Sequence, residues 1–299
     1  MDPIEFGGSN VSIAGKKFYP IQIAEKQLCS LKMTVFGPGG HGSSVVKNNA
    51  LRKAANIIER INANRMPVHI TPPVRAMVEG MAKGIGGILG NLMKLLLNPK
   101  LTDKILNQLG EVGLALLPMF HNTVNATIIQ GGEKINVIPC EITIYLDGRM
   151  LPSMRPDDLI AELRDVIGYG EEDVEIEVEN YEPCPPSVDM GAFDILHAAL
   201  KELDPDGNPV PMLLTAVTDG RHLAKLGIQS YGFIPMQLPE DFEFFKVAHA
   251  EDERVPVDSI EFGGSNVSIA GKKFYPIQIA EKQLCSLKMT VFGPGGHGS

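Results

Sequence analysis

From Leu28 to Phe36 the side chains alternate, with Cys29, Leu31, Met33 and Val35 apolar between Ser30, Lys32 and Thr34. A period of two puts one face of a strand on a core and the other in solvent. Phe18 to Ala24 reads similarly, and the two runs are expected as antiparallel strands. A Gly-Pro-Gly-Gly-His-Gly-Ser-Ser turn at 37 to 44 ends the second run. The period then changes: Val46, Ala50, Leu51, Ala54, Ile57, Ile58 and Ile61 make an apolar stripe opposite Arg52, Lys53, Glu59 and Arg60, which predicts a helix of about five turns. After a methionine- and glycine-rich helical section, Thr123 to Gln130 and Cys140 to Leu146 read as strands around Gly131-Gly132. Pro156-Asp157-Asp158 opens a helix through Ile167, with proline and acidic residues suited to a first turn. Val174 to Val178 is a further strand. Strand, helix, strand, strand, helix, strand describes an open-faced α+β sandwich over residues 28 to 180.

Beyond a proline-rich linker at Tyr181 to Pro186, the pattern predicts a helix over Asp189 to Leu203, a buried strand over Pro211 to Ala216, a helix over Asp219 to Leu226 and a strand over Gln229 to Ile234. These make an α/β portion with too few strands for a complete sheet. The apolar run from Ile85 to Leu97 is too short for the roughly 20 residues that span a bilayer. Lys83, Lys94, Lys100 and Asp103 punctuate it, so buried or dimer-facing helices, without membrane contact, are expected.

Ile4 to Ser43 recurs without a change as Ile260 to Ser299. Solenoid repeats diverge and come in threes or more, so two identical terminal copies point to a very recent duplication or a cloning-derived reading frame. The Glu-Phe pairs at 5–6 and 261–262, which the restriction sequence GAATTC encodes in frame, favour the second. Two copies of a strand compete for one slot in a sheet, and the surplus copy is expected to complete a neighbouring chain by domain swapping.

Length and a 44% hydrophobic content fit a globular chain of two domains. A net charge of -9, without a block of Lys and Arg, excludes a nucleic-acid surface and leaves small molecules or proteins as partners. Cys29, Cys140, Cys184 and Cys285 form no Cys-x-x-Cys pair, which suggests neither a disulfide framework nor a zinc knuckle. Cys140 and Cys184 read as small buried hydrophobes. With an N-terminus lacking a basic region and apolar run, this predicts a cytoplasmic protein.

Several short motifs then fall in one order: Gly39-Gly-His-Gly-Ser43, Asn125-Ala-Thr, Gly131-Gly132, Asn136-Val-Ile-Pro139, Asp147-Gly-Arg149, Thr218-Asp-Gly-Arg221, Tyr231-Gly-Phe and His249-Ala-Glu-Asp-Glu253. Over residues 4 to 259 the chain thereby resembles the dizinc metallopeptidase and amidohydrolase family of aminoacylases, carnosinases, carboxypeptidase G and succinyl-diaminopimelate desuccinylase. The resemblance implies an α+β lid, or dimerisation domain, with an open-faced sheet over 28 to 180. It implies catalytic-domain remnants at 1 to 27 and 181 to 259, the last partly α/β, with 260 to 299 as the repeat. It further implies that His41 reaches a partner subunit's site and polarises the scissile carbonyl, that Asn125 and Arg149, with Gly232, hold substrate, and that His249 is a zinc ligand supported by Glu253. Such an enzyme also needs a His-x-Asp motif, a bridging Asp and a Glu-Glu pair upstream of these motifs, none of which this sequence contains.

Each residue also has a plainer reading: a loop histidine for His41, a surface ion pair for Arg149. Zinc normally takes three or four protein ligands, and one histidine does not make a site. The expectation is therefore a homo-oligomer, a dimer, acting on a small molecule by metal-assisted hydrolysis of an ester, amide or phosphoester at a non-ancestral site using His41 and the repeat's His297. The alternatives are a catalytically inactive dimerisation or binding module, and a fragment that needs its missing N-terminal half.

Overall fold

The alternating run of Leu28 to Phe36 forms the middle of the larger sheet. A computed structural model describes residues 9–184, 190–239, 242 and 254–259, and the backbone of 267–269 and 272–274. Strands β1 (Val11–Ile13) and β2 (Lys16–Glu25) form a hairpin, and β3 (Gln27–Phe36) follows after the single residue Lys26. Strand β4 (Gly40–His41), helix α1 (Ala50–Ala63), helices α2 (Pro72–Ile85), α3 (Gly87–Met93), α4 (Pro99–Gln108) and α5 (Glu111–Phe120), and strands β5 (Thr123–Gln130), β6 (Val137–Ile138) and β7 (Glu141–Met150) come next. Helix α6 (Pro156–Ile167), strand β8 (Val174–Glu182), helix α7 (Phe193–Leu203), strand β9 (Asn208–Leu214), helix α8 (Gly220–Ala224) and strands β10 (Val267–Ile269) and β11 (Lys272–Phe274) complete the described elements. The chain is α+β.

Strand β3 pairs antiparallel with β7 from Gln27↔Met150 to Phe36↔Glu141, and with β8 on its other side. With β5 against β7, the order is β5-β7-β3-β8. Helices α1 and α6 cover one face, where Leu31, Met33, Val35, Ile144 and Leu146 pack with Ala54, Ile57, Leu159 and Leu163. The other face is open. Helix α1 starts at Ala50, later than its apolar stripe suggests, because the Asn49 side chain accepts the Arg52 N–H and caps it there. Helix α6 has the expected bounds; Pro156 opens it and Gly168, at φ 65°, terminates it in the left-handed region.

The second layer is the sheet β1-β2-β9, with β2 and β9 parallel. Strands β2 and β9 are buried on both faces. Phe18, Val210 and Met212 face Val74, Met77, Met81, Leu96 and Phe120 of the helical section, while Tyr19, Ile21 and Ile23 face Phe193 and Leu200 of α7. Gly80 and Gly84 let α2 approach closely: a Cβ on Gly80 would lie 3.2 Å from Val210.

Two expectations change. Strands β2 and β3 are successive but unpaired with each other, because each finds its partners in a different sheet. The run at 229 to 234 makes only a bridge, Gln22↔Gly232. The Ile85–Leu97 run is covered on one side only: Leu96 is buried while Ile88, Leu89, Leu92 and Leu95 are exposed. Strands β10 and β11 reproduce in the second copy the register of β1 and β2, with Val267↔Phe274 matching Val11↔Phe18.

Candidate functional site

His41 occupies the two-residue strand β4, paired with β6 through Gly40↔Ile138 and His41↔Val137. The glycines allow this tight rim. A Cβ on Gly39 would sit 3.2 Å from the Ile138 carbonyl oxygen, and the Gly42 N–H donates to Asn136 O at 2.8 Å. A Cβ on Gly37 would run into the backbone of Asn49 and Ala50, so the loop enters α1 with no room for a side chain. The His41 ring is exposed. Its Nδ1 lies 2.8 Å from Ser43 Oγ and accepts the Ser43 N–H at 3.3 Å. An Nδ1 that accepts leaves the proton of a neutral imidazole on Nε2, pointing away from these partners.

Asn125, Asp147 and Arg149 share the open face of the four-stranded sheet. Asn125 pairs directly with Asp147, and Arg149 is two residues further along β7. The Arg149 fork is fixed by Asp147, with Nε to Oδ1 at 2.8 Å and Nη2 to Oδ2 at 3.1 Å. The ion-pair reading of Arg149 is thus satisfied, and the fork is also held ready on an accessible face.

Beside Arg149 lies a residue that pattern reading passes over. Lys26, between β2 and β3, is 1% exposed and donates to His121 O at 2.8 Å and Thr123 Oγ1 at 3.1 Å. Burial, followed by the positive charge of Arg149, pushes its amine down to about 7, with Asp147 opposing. Its neighbours are buried too. Glu25 accepts from Thr218 N–H and Oγ1–H, both at 2.7 Å. Gln27 donates to Leu151 O and Met154 O at 2.9 Å and accepts from Tyr181 OH at 3.0 Å and Cys184 N–H at 3.2 Å. The triplet Glu25-Lys26-Gln27 is therefore a bonded joint between the two sheets. In sequence it looks like a polar turn, and its only signal is a lysine between two long apolar runs.

The Thr218-Asp-Gly-Arg221 motif belongs to the same joint: Arg221 pairs with Glu182 at 2.6 Å and donates to Thr218 O at 2.7 Å. Gly232 exchanges backbone hydrogen bonds with Gln22 at 3.1 Å in both directions, and a Cβ there would run into the Gln22 side chain. His121 is a buried connector, its Nδ1 2.6 Å from Met66 O and its Nε2 3.1 Å from Asp103. Burial raises the thiols of Cys29 and Cys184 to about 11, which suits inert side chains, while Cys140 is exposed, contrary to expectation. His249, Glu253 and His297 lie outside the described residues. Among the described residues no three His, Cys, Asp or Glu side chains gather so that they could hold a metal ion, and these residues by themselves do not fit zinc.

Comparison with known proteins bears on this arrangement. The chain is 24% identical over 246 residues to the N-fatty-acyl-amino acid synthase/hydrolase PM20D1.1 of Danio rerio, covering 81% of this chain and 46% of that protein. It is 25% identical over 243 residues to the probable carboxypeptidase S-like 2 of Dictyostelium discoideum, with the same coverages. The chain thus spans about half the length of the curated relatives it matches. A solved tripeptidase from Staphylococcus aureus aligns with a TM-score of 0.46 and 15% identity over 86% of this chain and 51% of that one. The sequence model described as the peptidase dimerisation domain matches residues 23–174, which include β3, β5 and β7 of the four-stranded sheet, His41, Asn125 and Arg149, and the chain belongs to that peptidase dimerisation domain family.

Proposed function

We propose that this chain is the dimer-forming lid of a metal-dependent amide hydrolase, and that each protomer lends His41 to its partner's reacting centre. The observation that carries the reading is an exposed imidazole on a pinned two-residue strand, its Nδ1 engaged by Ser43 and its Nε2 turned outward. In amide hydrolysis the carbonyl oxygen gains negative charge as the tetrahedral intermediate forms. A donor fixed in advance stabilises that charge without reorganising, and such donors are worth about 10²–10³ in rate.

The open sheet face supplies a second element. Arg149, oriented by Asp147 through Nε and one Nη2 hydrogen, keeps its remaining guanidinium N–H donors on the open face beside Asn125, an arrangement suited to a carboxylate. An amide donor partner and a carboxylate together describe an N-acyl amino acid or a peptide, the classes that the names of the relatives carry. Zinc enters only through the resemblance, which offers His249 as a ligand with Glu253 supporting it; that is too few ligands to make a site from this chain.

Dimerisation follows from the sheet edges. Strand β8 carries Glu175, Glu177 and Glu179, a charged edge that discourages pairing. Strand β5 has no charged residue, and Ile128 and Ile129 are exposed there, with Ile135 and Val137 nearby in the chain. An uncharged apolar edge is a template for a second copy.

The test is hydrolysis of N-acyl amino acids by this chain mixed with a polypeptide that carries the His-x-Asp, bridging Asp and Glu-Glu motifs of such enzymes, with zinc and with chelator, in the parent and in His41→Ala. The reading expects kcat to fall on the order of a hundredfold with KM little changed while the dimer persists. Equal hydrolysis by the two proteins overturns His41 as donor. A stable dimer that hydrolyses nothing selects the second reading, an inactive dimerisation module. Loss of hydrolysis in His297→Ala but not His41→Ala would instead select a site built on the repeat.

A further inference from the structure

The helical section solves its packing in an unusual way. Helix α3 meets α2 through Gly90, where a Cβ would collide with the Ala82 carbonyl, and α5 meets α4 through Gly113, where it would collide with the Leu106 carbonyl. Packing through glycine turns the larger side chains outward. Ile88, Leu89, Leu92 and Leu95 are 81%, 54%, 52% and 41% exposed, and Val112 and Leu114 on α5 are exposed by more than half. Ile88 and Leu92 lie one turn apart on α3, and Leu95 is in the tighter 3-10 turn Lys94–Leu97 that follows it.

The charge around them is also unusual. The chain carries a net charge of -9, yet from Lys83 to Lys104 there are four lysines, Lys83, Lys94, Lys100 and Lys104, against Asp103 alone. All four lysines are exposed, and none is in a salt bridge among the described residues. No helix of the described residues is long and apolar enough to cross a membrane. We propose that α3 and the turn after it lie on the surface of an anionic lipid bilayer, the leucines entering the headgroup boundary and the lysines meeting the lipid charge. This is the chemistry of an interfacial helix, apolar on one side and basic around it. A second copy is a poorer occupant, because pairing this patch with itself would bring lysines against lysines.

The experiment is co-sedimentation of the full chain with phosphatidylcholine vesicles, with and without about a third phosphatidylserine, at low and high salt. Binding to the anionic vesicles that weakens with salt is expected. Lys94→Gln/Lys100→Gln/Lys104→Gln should lower partitioning about a hundredfold, at roughly fivefold per charge near the surface. Ile88→Asp/Leu92→Asp/Leu95→Asp should abolish it with the circular dichroism melt unchanged. Absence of binding, equal binding to neutral vesicles, or unaltered binding in the Asp variant overturns the proposal. So does an Asp variant whose only change is loss of a dimer in sedimentation velocity, which would make the patch a contact between copies.

Discussion

Strands β2 and β3 are separated by one residue but obey different rules. In β3 burial alternates from end to end, because the lid sheet has one covered face and one open face. In β2 six successive residues, Tyr19 to Ala24 with Phe18 before them, are buried or nearly so, because helices lie on both sides of that sheet; β9 behaves the same way. Antiparallel sheets can leave one face in water, whereas parallel pairs are covered on both. The accessible chemistry follows this division: Asn125 and Arg149 are on the open face of the one-sided sheet, His41 is on the small β4-β6 ribbon that follows β3 in the chain, and the buried β2 strand contributes the joint at Glu25 and Lys26.

The sharpest way to break the comparison is to damage one layer and watch the other. Leu31→Ala in the lid core should cost about 2–5 kcal/mol. Because Glu25, Lys26 and Gln27 bond across both sheets, hydrogen exchange should show amides of β9 losing protection together with those of β7. Loss confined to β3, β7 and β8 would mean that the layers unfold separately.

A smaller effect comes from the joint. In the unfolded chain Lys26 keeps its proton to its ordinary value of 10.5, and in the folded chain gives it up near 7. Between these limits the unfolded state binds more protons, so stability rises with pH; below about 7 both states are protonated and the cost of the buried charge is carried in full. Denaturant titrations should gain about 2 kcal/mol between pH 7 and 9, on the scale of 1.36 kcal/mol per unit less the half-titration of the folded state at pH 7. Lys26→Met should flatten that rise, and an unchanged slope would remove Lys26 as its source.

The smallest effect on folding is expected at the site itself. His41→Ala removes an exposed ring bonded only within its own turn, and should change stability by no more than about 0.5 kcal/mol. A larger loss, read from the same titrations, would make His41 a structural residue and remove the case for its role as a donor.

The lid was legible in the sequence where one side chain or one period decides the outcome. Alternation marks β3, Pro156 and Gly168 mark the ends of α6, and the glycines around His41 mark a close approach of backbones. Pairing was not legible where the partner is far away: β2 takes its neighbour from β9, and no local signal reaches across that separation. Asn125 and Arg149 came from the resemblance, and the β5–β7 register then put them on one face. Lys26 was missed because a lysine between strands looks solvated until the second sheet closes over it. The Ile85–Leu97 run could be read only as buried or dimer-facing, because an apolar run implies burial only when its packing is not already done by glycine.

The central claim is a lid that dimerises along β5, and sedimentation velocity of the full chain tests it against Ile129→Lys and against a chain lacking residues 260–299. The account predicts a dimer in the parent and the truncated chain, and a folded monomer for Ile129→Lys, since a lysine on an edge strand blocks pairing. A dimer that survives Ile129→Lys but disappears with the repeat would contradict it and assign assembly to strand exchange by the duplicated segment.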